Sequence, residues 1–419
     1  MPAVSAPGMK RFLIFGLLCT IPGFSQTYDF SAATAQLAGN LNLYGNRVVV
    51  IVEQEKRGEI FRYEAGAITQ NTKLGIASCS KWLSGAVVLA CAERGYFRLD
   101  DRVGDYLPVF NGYGKGHLTI RQCFAMTSGL ILTNPEYEID RTLTLAQSVN
   151  LIAAHAPILF TPGTQLAYEG DGIQVVGRIC EVVTGKDWNA LARELLFDPL
   201  GMDSADYSFF GINPAVAGGA RCSASDYLKF LRMVMRNGQG ANGRVVLASR
   251  SVQEFFTNQT FGLPEYSTPL RDSDFYPYGQ RPDYGMGSWI NAQNPLTGAV
   301  EEVASPGAFG TYPWVDRRRG LRGIIFLFGN GETVGENNLR VLAHLRTEID
   351  AQELPPPDPP SPLTTSVTDG YFRISWTGGG LLETSPDCGT WTPLAWASSP
   401  FLESLVRPPG SRWFDRLRR

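Results

Sequence analysis

Histidine is the scarcest chemically useful residue in this chain: His117, His155 and His344 are the whole complement in 419 residues. His117 precedes a helix start and the other two fall in helical patterns, so none sits in the strand-to-helix elbow of a Ser-His-Asp hydrolase. The seven cysteines have neither metal-ligand spacing nor the density of a disulfide scaffold. Cys79, Cys91, Cys123 and Cys180 lie in helix-like patterns and read as buried free thiols. With so few nitrogen and sulfur ligands, no metal site is expected. Charge is sparse too, at 18% of residues with a net charge of −3. That leaves no electrostatic footprint for nucleic acid. The runs Arg317-Arg318-Arg319 and 416–419 are short and read as solvated faces. The apolar run at the N-terminus is too short to span a bilayer comfortably, and no other stretch is long enough for a transmembrane helix.

What is present suggests more than one domain. Lys10 and Arg11 precede the apolar run FLIFGLLCTI and then Pro22-Gly23-Phe24-Ser25, which reads as an export signal over residues 1–25, cleaved near Ser25. A periplasmic or extracellular location follows as the expectation. A main domain over 27–352 comes next. Residues 353–362, rich in proline, can form only a stiff extended linker. The remainder, 363–419, alternates apolar residues with turns and carries several tryptophans, which reads as a small all-β module. Surface or glycan contact through that module is the sharper of two readings, the plainer being a spacer.

Within the main domain, Ser78-Cys79-Ser80-Lys81 forms an S-x-x-K pattern where a helix begins. Positions i and i+3 share a helix face with Cβ atoms about 5–6 Å apart, so a lysine amine there can reach the serine hydroxyl. A desolvated Lys81 could take the Ser78 proton, or help another base take it. The plain alternative is a serine cap beside a solvated lysine.

The rest of the domain alternates strands and helices. Arg47 to Gln54 is β-branched and reads as a strand that 59–63 could pair with. The helix after Ser78 runs to Gly95. Thr119 is a plausible N-cap, with Ser128-Gly129 as the stop. A helix covers about 145–153, and FTPGTQLAYEGDG gives a turn, an exposed Tyr168 and a helix ending at Gly185. Ser223 with Asp226 suggests a capping box opening a helix that stops at Gly238. Strands are expected at 286–290, 310–316 and 322–328, then a final helix from about 336 to 350.

Taken in order, SCSK, ERGYFRLDDRVGDYLP, LTIRQCFAMTSGL, FTPGTQLAY, GRICEVVTGKDW, PLGM, GGARCSASDYLKF and SPGAFGTYPWVD resemble the serine β-lactamase-related hydrolases. That family includes class C β-lactamases, penicillin-binding carboxypeptidases and family VIII esterases. The resemblance implies an α+β fold, an antiparallel sheet flanked by helices with a helical subdomain, and a cleft between the two. It gives Ser78 the nucleophile's place, Lys81 that of its partner, and Tyr168 that of the tyrosine in Y-x-N. The oxyanion hole would come from the backbone N–H groups of Ser78 and Ala308, with Gly307 allowing close approach and Ser305 lying at the substrate-binding motif. The chemistry implied is acyl transfer through a covalent intermediate on Ser78, without metal or organic cofactor.

Two departures shape the expected function. Y-x-N is here Tyr168-Glu169-Gly170, so the orienting amide is missing. K-T-G is Ser305-Pro306-Gly307, so the cation that binds a substrate carboxylate is missing too. The missing cation weakens the case for β-lactams and for peptides ending in a free carboxylate, which leaves esters or small amides as the expected substrates. A phenol holds its proton at neutral pH, so Tyr168 acts as a base only beside positive charge. Lys81 and Tyr168 therefore both stand as candidates for the base. Pro306 requires a strand with a free side there. The competing class is a binding or scaffolding protein that keeps the fold without turnover.

Overall fold

The computed structural model describes residues 28–132, 136–279, 281–295 and 297–352, together with strand segments 364–368, 371–375, 381–385, 392–393, 401–404 and 414–418. The expected export signal and the proline-rich linker lie outside the described residues. The C-terminal strand segments form two three-stranded antiparallel sheets.

The main domain is built on a seven-stranded antiparallel sheet: β1 (Val48–Gln54), β2 (Gly58–Ala65), β3 (Asp283–Tyr284), β4 (Trp289–Gln293), β5 (Val300–Ala304), β6 (Tyr312–Asp316) and β7 (Leu321–Phe326). Their spatial order is β2-β1-β7-β6-β5-β4-β3. The N-terminal hairpin thus adds to one edge of a sheet otherwise made from residues 283–326.

Alternation along the strands sorts side chains to two faces, because the strand period is two. Val48, Val50 and Val52 join a core with Ile325, Trp314 and the helices α1 (Ser31–Gly39) and α8 (Gly331–Asp350). Val49 and Ile51 face the other way, into the core that holds Trp82, Phe230 and Ile324. This second layer carries α2 (Ser80–Glu93), α3 (Ile120–Phe124), α4 (Glu136–Ile139), α5 (Leu145–His155), α6 (Asp171–Thr184) and α7 (Ala224–Met235). With both faces covered, β1 can be apolar without interruption from Val48 to Val52. Each buried valine or isoleucine is worth roughly 1.5–3 kcal/mol.

Caps define several of these helices. Thr119 and Gln122 make a reciprocal capping box at α3, and Thr144 and Gln147 do the same at α5. At α7 Ser223 accepts from the Asp226 N–H, but the Asp226 carboxylate instead accepts from the backbone N–H of Ser204 at 2.7 Å, so the expected box is a single cap. α3 stops at Phe124, short of Ser128-Gly129, and α8 starts earlier than expected because Asn330 caps it. The segment 286–288 is not strand; β4 begins at Trp289. Cys79, Cys91, Cys123, Cys180 and Cys222 are buried free thiols. No helix among the described residues is long and apolar enough to cross a membrane.

Candidate active site

Ser78 lies in a single 3-10 turn, Ala77–Cys79, that leads directly into α2. Ala77 holds a left-handed backbone at φ 45°. For a residue with a Cβ that conformation costs about 1–3 kcal/mol and persists where the surroundings enforce it. The fixing contacts are visible: the Ile76 N–H donates to the Ala220 carbonyl, and the Ser80 hydroxyl donates to the Ala77 carbonyl. Ser78 itself remains partly exposed while Lys81 is buried. The Lys81 Nζ donates to Ser78 Oγ at 3.0 Å and to the Ala217 carbonyl at 3.1 Å. A lysine held this way has left bulk water and faces the hydroxyl it would deprotonate.

Tyr168 is not an exposed loop residue. Its ring stacks on Trp289 with centroids 4.8 Å apart and meets Tyr284 edge-on at 5.8 Å. Lys81 Nζ lies 4.8 Å from the Tyr168 ring centroid, within cation–π range. The backbone there is fixed by the Tyr168 N–H to the Ser267 carbonyl and the Ala167 N–H to the Met126 carbonyl, each 2.9 Å. Ser78, Lys81 and Tyr168, far apart in sequence, are therefore gathered through Lys81.

The segment after β5 forms the opposite wall. Ser305 N–H donates to the Pro313 carbonyl and Gly307 N–H to the Thr311 carbonyl. The missing N–H of Pro306 thus falls between two ladder bonds, on the side away from β6 and beyond the last β4 partner of Ala304, where no ladder bond is lost. A Cβ on Gly307 would lie 2.3 Å from the Ile76 carbonyl oxygen, so only glycine lets this backbone press against the Ser78 turn. The N–H groups of Ser78 and Ala308 donate to nothing among the described residues. They are free for an oxyanion. Ser305 is 2% exposed, and its hydroxyl is within reach of the carbonyls of Ser78 (3.2 Å) and Gly287 (3.3 Å). It braces the Ser78 turn and offers no charge to a substrate.

A protein-family model described as beta-lactamase matches residues 48–346. The chain belongs to the beta-lactamase family. Among curated relatives, Penicillin-binding protein 4 of Amycolatopsis lactamdurans is 25% identical over 239 residues, 46% of this chain and 61% of the relative's length. A beta-lactamase of Pseudomonas fluorescens is 23% identical over 66% of this chain and 87% of its own. Among solved structures, a Bacteroides dorei protein assigned as a beta-lactamase superposes with a TM-score of 0.70 at 28% identity, over 77% of this chain and 100% of that one. Those neighbours fit the mixed fold with its large antiparallel sheet, and the family is one of serine hydrolases.

Sequence reasoning missed three contributors in this beta-lactamase-family protein. The first is the loop around Ala217, whose carbonyl receives Lys81; Val216 N–H donates to Gln174 Oε1 at 2.8 Å and Ser84 Oγ donates to the Val216 carbonyl at 2.6 Å. The pair Gly218-Gly219 was its one signal. The second is an aromatic wall: Phe309, next to Ala308, packs on Phe328 (4.7 Å) and Phe209 (5.3 Å), all partly exposed. The third is a set of carboxyls. Burial pushes Glu138 up, pushes Asp171 up to about 7 and pushes Glu169 well above the ordinary carboxylate range, with mutual repulsion adding to the last two. Lys81 opposes the shift at Glu138 and at Glu169.

Proposed function

We propose that this protein is an exported serine hydrolase that cleaves small esters or amides with an apolar acyl group. Lys81 accepts the Ser78 proton as Oγ attacks the carbonyl carbon. The carbonyl oxygen becomes an oxyanion held by the N–H groups of Ser78 and Ala308. Collapse of this tetrahedral species expels the alcohol or amine, which leaves with a proton returned from Lys81. Water then attacks the acyl-Ser78 ester and restores the serine. The observation that carries the reading is the 3.0 Å contact between a buried Lys81 and Ser78. Tyr168, face-on to that amine, favours its charged form once the proton has moved.

Substrate preference follows from the opposite wall. No cation stands at position 305, which weakens recognition of a carboxylate and with it of β-lactams and peptides ending in D-alanine. Phe309, Phe209 and Phe328 instead offer apolar surface beside the oxyanion position. The mature protein is expected to hydrolyse p-nitrophenyl butyrate, to leave nitrocefin and D-alanyl-D-alanine peptides intact, and to lose ester turnover in Ser78→Ala. Equal ester turnover in Ser78→Ala would overturn the proposal, and nitrocefin turnover would overturn its substrate class.

A further inference from the structure

Gly170 stands where the family's Y-x-N motif carries its amide, yet the space beside it is not empty. A Cβ built on Gly170 would lie 1.9 Å from Glu138 Oε2, 2.1 Å from Oε1 and 2.1 Å from Cδ. The carboxyl of Glu138, from α4, therefore fills the volume that any side chain at 170 would need. A side chain at 170 and the Glu138 carboxyl in this position exclude one another, so one can be present only if the other moves away.

The placement of Glu138 is built into the molecule. The fully buried Asn213 donates through Nδ2 to the carbonyls of Glu138 (3.0 Å) and Asp140 (3.2 Å). The fully buried Gln174 donates to Asn213 Oδ1 at 2.9 Å and accepts from Val216 N–H at 2.8 Å, one residue before the carbonyl that holds Lys81. One buried amide pair thus fixes both α4 and the Lys81-binding loop.

We propose that Glu138 is a positioning residue: its carboxylate replaces the missing residue-170 amide and favours the ammonium form of Lys81 after the Ser78 proton has moved. This rests on the acyl-enzyme reading given above. An opposite charge nearby strengthens an amine as a base, so the carboxylate stabilises the state that follows proton transfer more than the state before it. The charged groups that act on or are acted on by Glu138 are Lys81 from α2, Glu169 just before α6 and Asp171 at its first position. Burial raises all three carboxyls, and the Lys81 charge draws Glu138 back toward its ionised form.

The test is an exchange between two positions, read by the rate of Ser78 labelling with a fluorophosphonate, by kcat and KM on p-nitrophenyl butyrate from pH 5 to 9, and by thermal melting. Glu138→Gln should keep the fold, lower kcat about 10-fold or more with KM nearly unchanged, and shift the acid limb of the pH profile. Gly170→Asn alone should melt earlier and lose activity, while Glu138→Ala with Gly170→Asn should recover both relative to Gly170→Asn. Glu138→Gln labelling at the wild-type rate with the wild-type pH profile would overturn the role of Glu138 alone. So would a double variant no better than Gly170→Asn. A wild type that never labels at Ser78 would fail the acyl-enzyme reading and this role with it.

Discussion

At the scale of single residues, the site is defined by what surrounds one lysine. Lys81 touches Ser78 Oγ, the Ala217 carbonyl and the face of Tyr168. Carboxyls near it carry a cost that can be measured. Asp171 is 3% exposed; its Oδ2 accepts from the Leu132 N–H at 2.8 Å and its Oδ1 has no hydrogen-bond partner. Its folded-state value of about 7 lies above the ordinary 3.8, chiefly through burial. The folded state therefore binds more protons than the unfolded chain between these values, and stability falls as pH rises through that window. Asp171→Asn keeps an acceptor for Leu132 and removes the charge. Relative to wild type it should gain on the order of 2–4 kcal/mol between pH 5 and pH 8 in urea unfolding. Parallel curves at both pH values would contradict the assignment.

At the scale of elements, β5 is joined to α8 by a buried ion pair: Arg346 Nη2 meets Glu302 Oε1 at 2.6 Å and Nε meets Oε2 at 3.0 Å, with Asn291 donating to Glu302 from β4. Glu302 is 1% exposed, so Arg346→Ala strands its charge and should cost ~3–5 kcal/mol in denaturant unfolding. Replacing both partners by leucine and methionine should cost far less, and equal losses would show that the pair is not the cause. Neither partner stood out in the sequence, where Glu302 is one of two adjacent glutamates. The elements that were legible carried strong local signals. β1 announced itself by its valines, and α3 by its cap. What failed to show were starts set by backbone turns, such as β4, which begins only at Trp289 after Gly287 takes a left-handed backbone at φ 89°.

At the scale of the whole molecule, the ordered motifs made the fold and the Ser78–Lys81 pair readable, because both members belong to one helical turn. Tyr168 was legible as a position but not as an environment: its stack on Trp289 joins residues more than a hundred apart, which no local pattern reveals. The same holds for Ala217 and for Glu138, each brought to the site by a loop or short helix whose own sequence is unremarkable. Charge shows the same division. A missing cation at 305 could be read directly, whereas the carboxyl occupying the Gly170 space became visible only in three dimensions.

The central claim is that Lys81 activates Ser78 for covalent acyl transfer. Intact-protein mass spectrometry after fluorophosphonate treatment tests it most directly. Wild type should carry a single adduct on Ser78, and Ser78→Ala and Lys81→Met none. An adduct that survives Ser78→Ala, or Lys81→Met labelling at the wild-type rate, would contradict it.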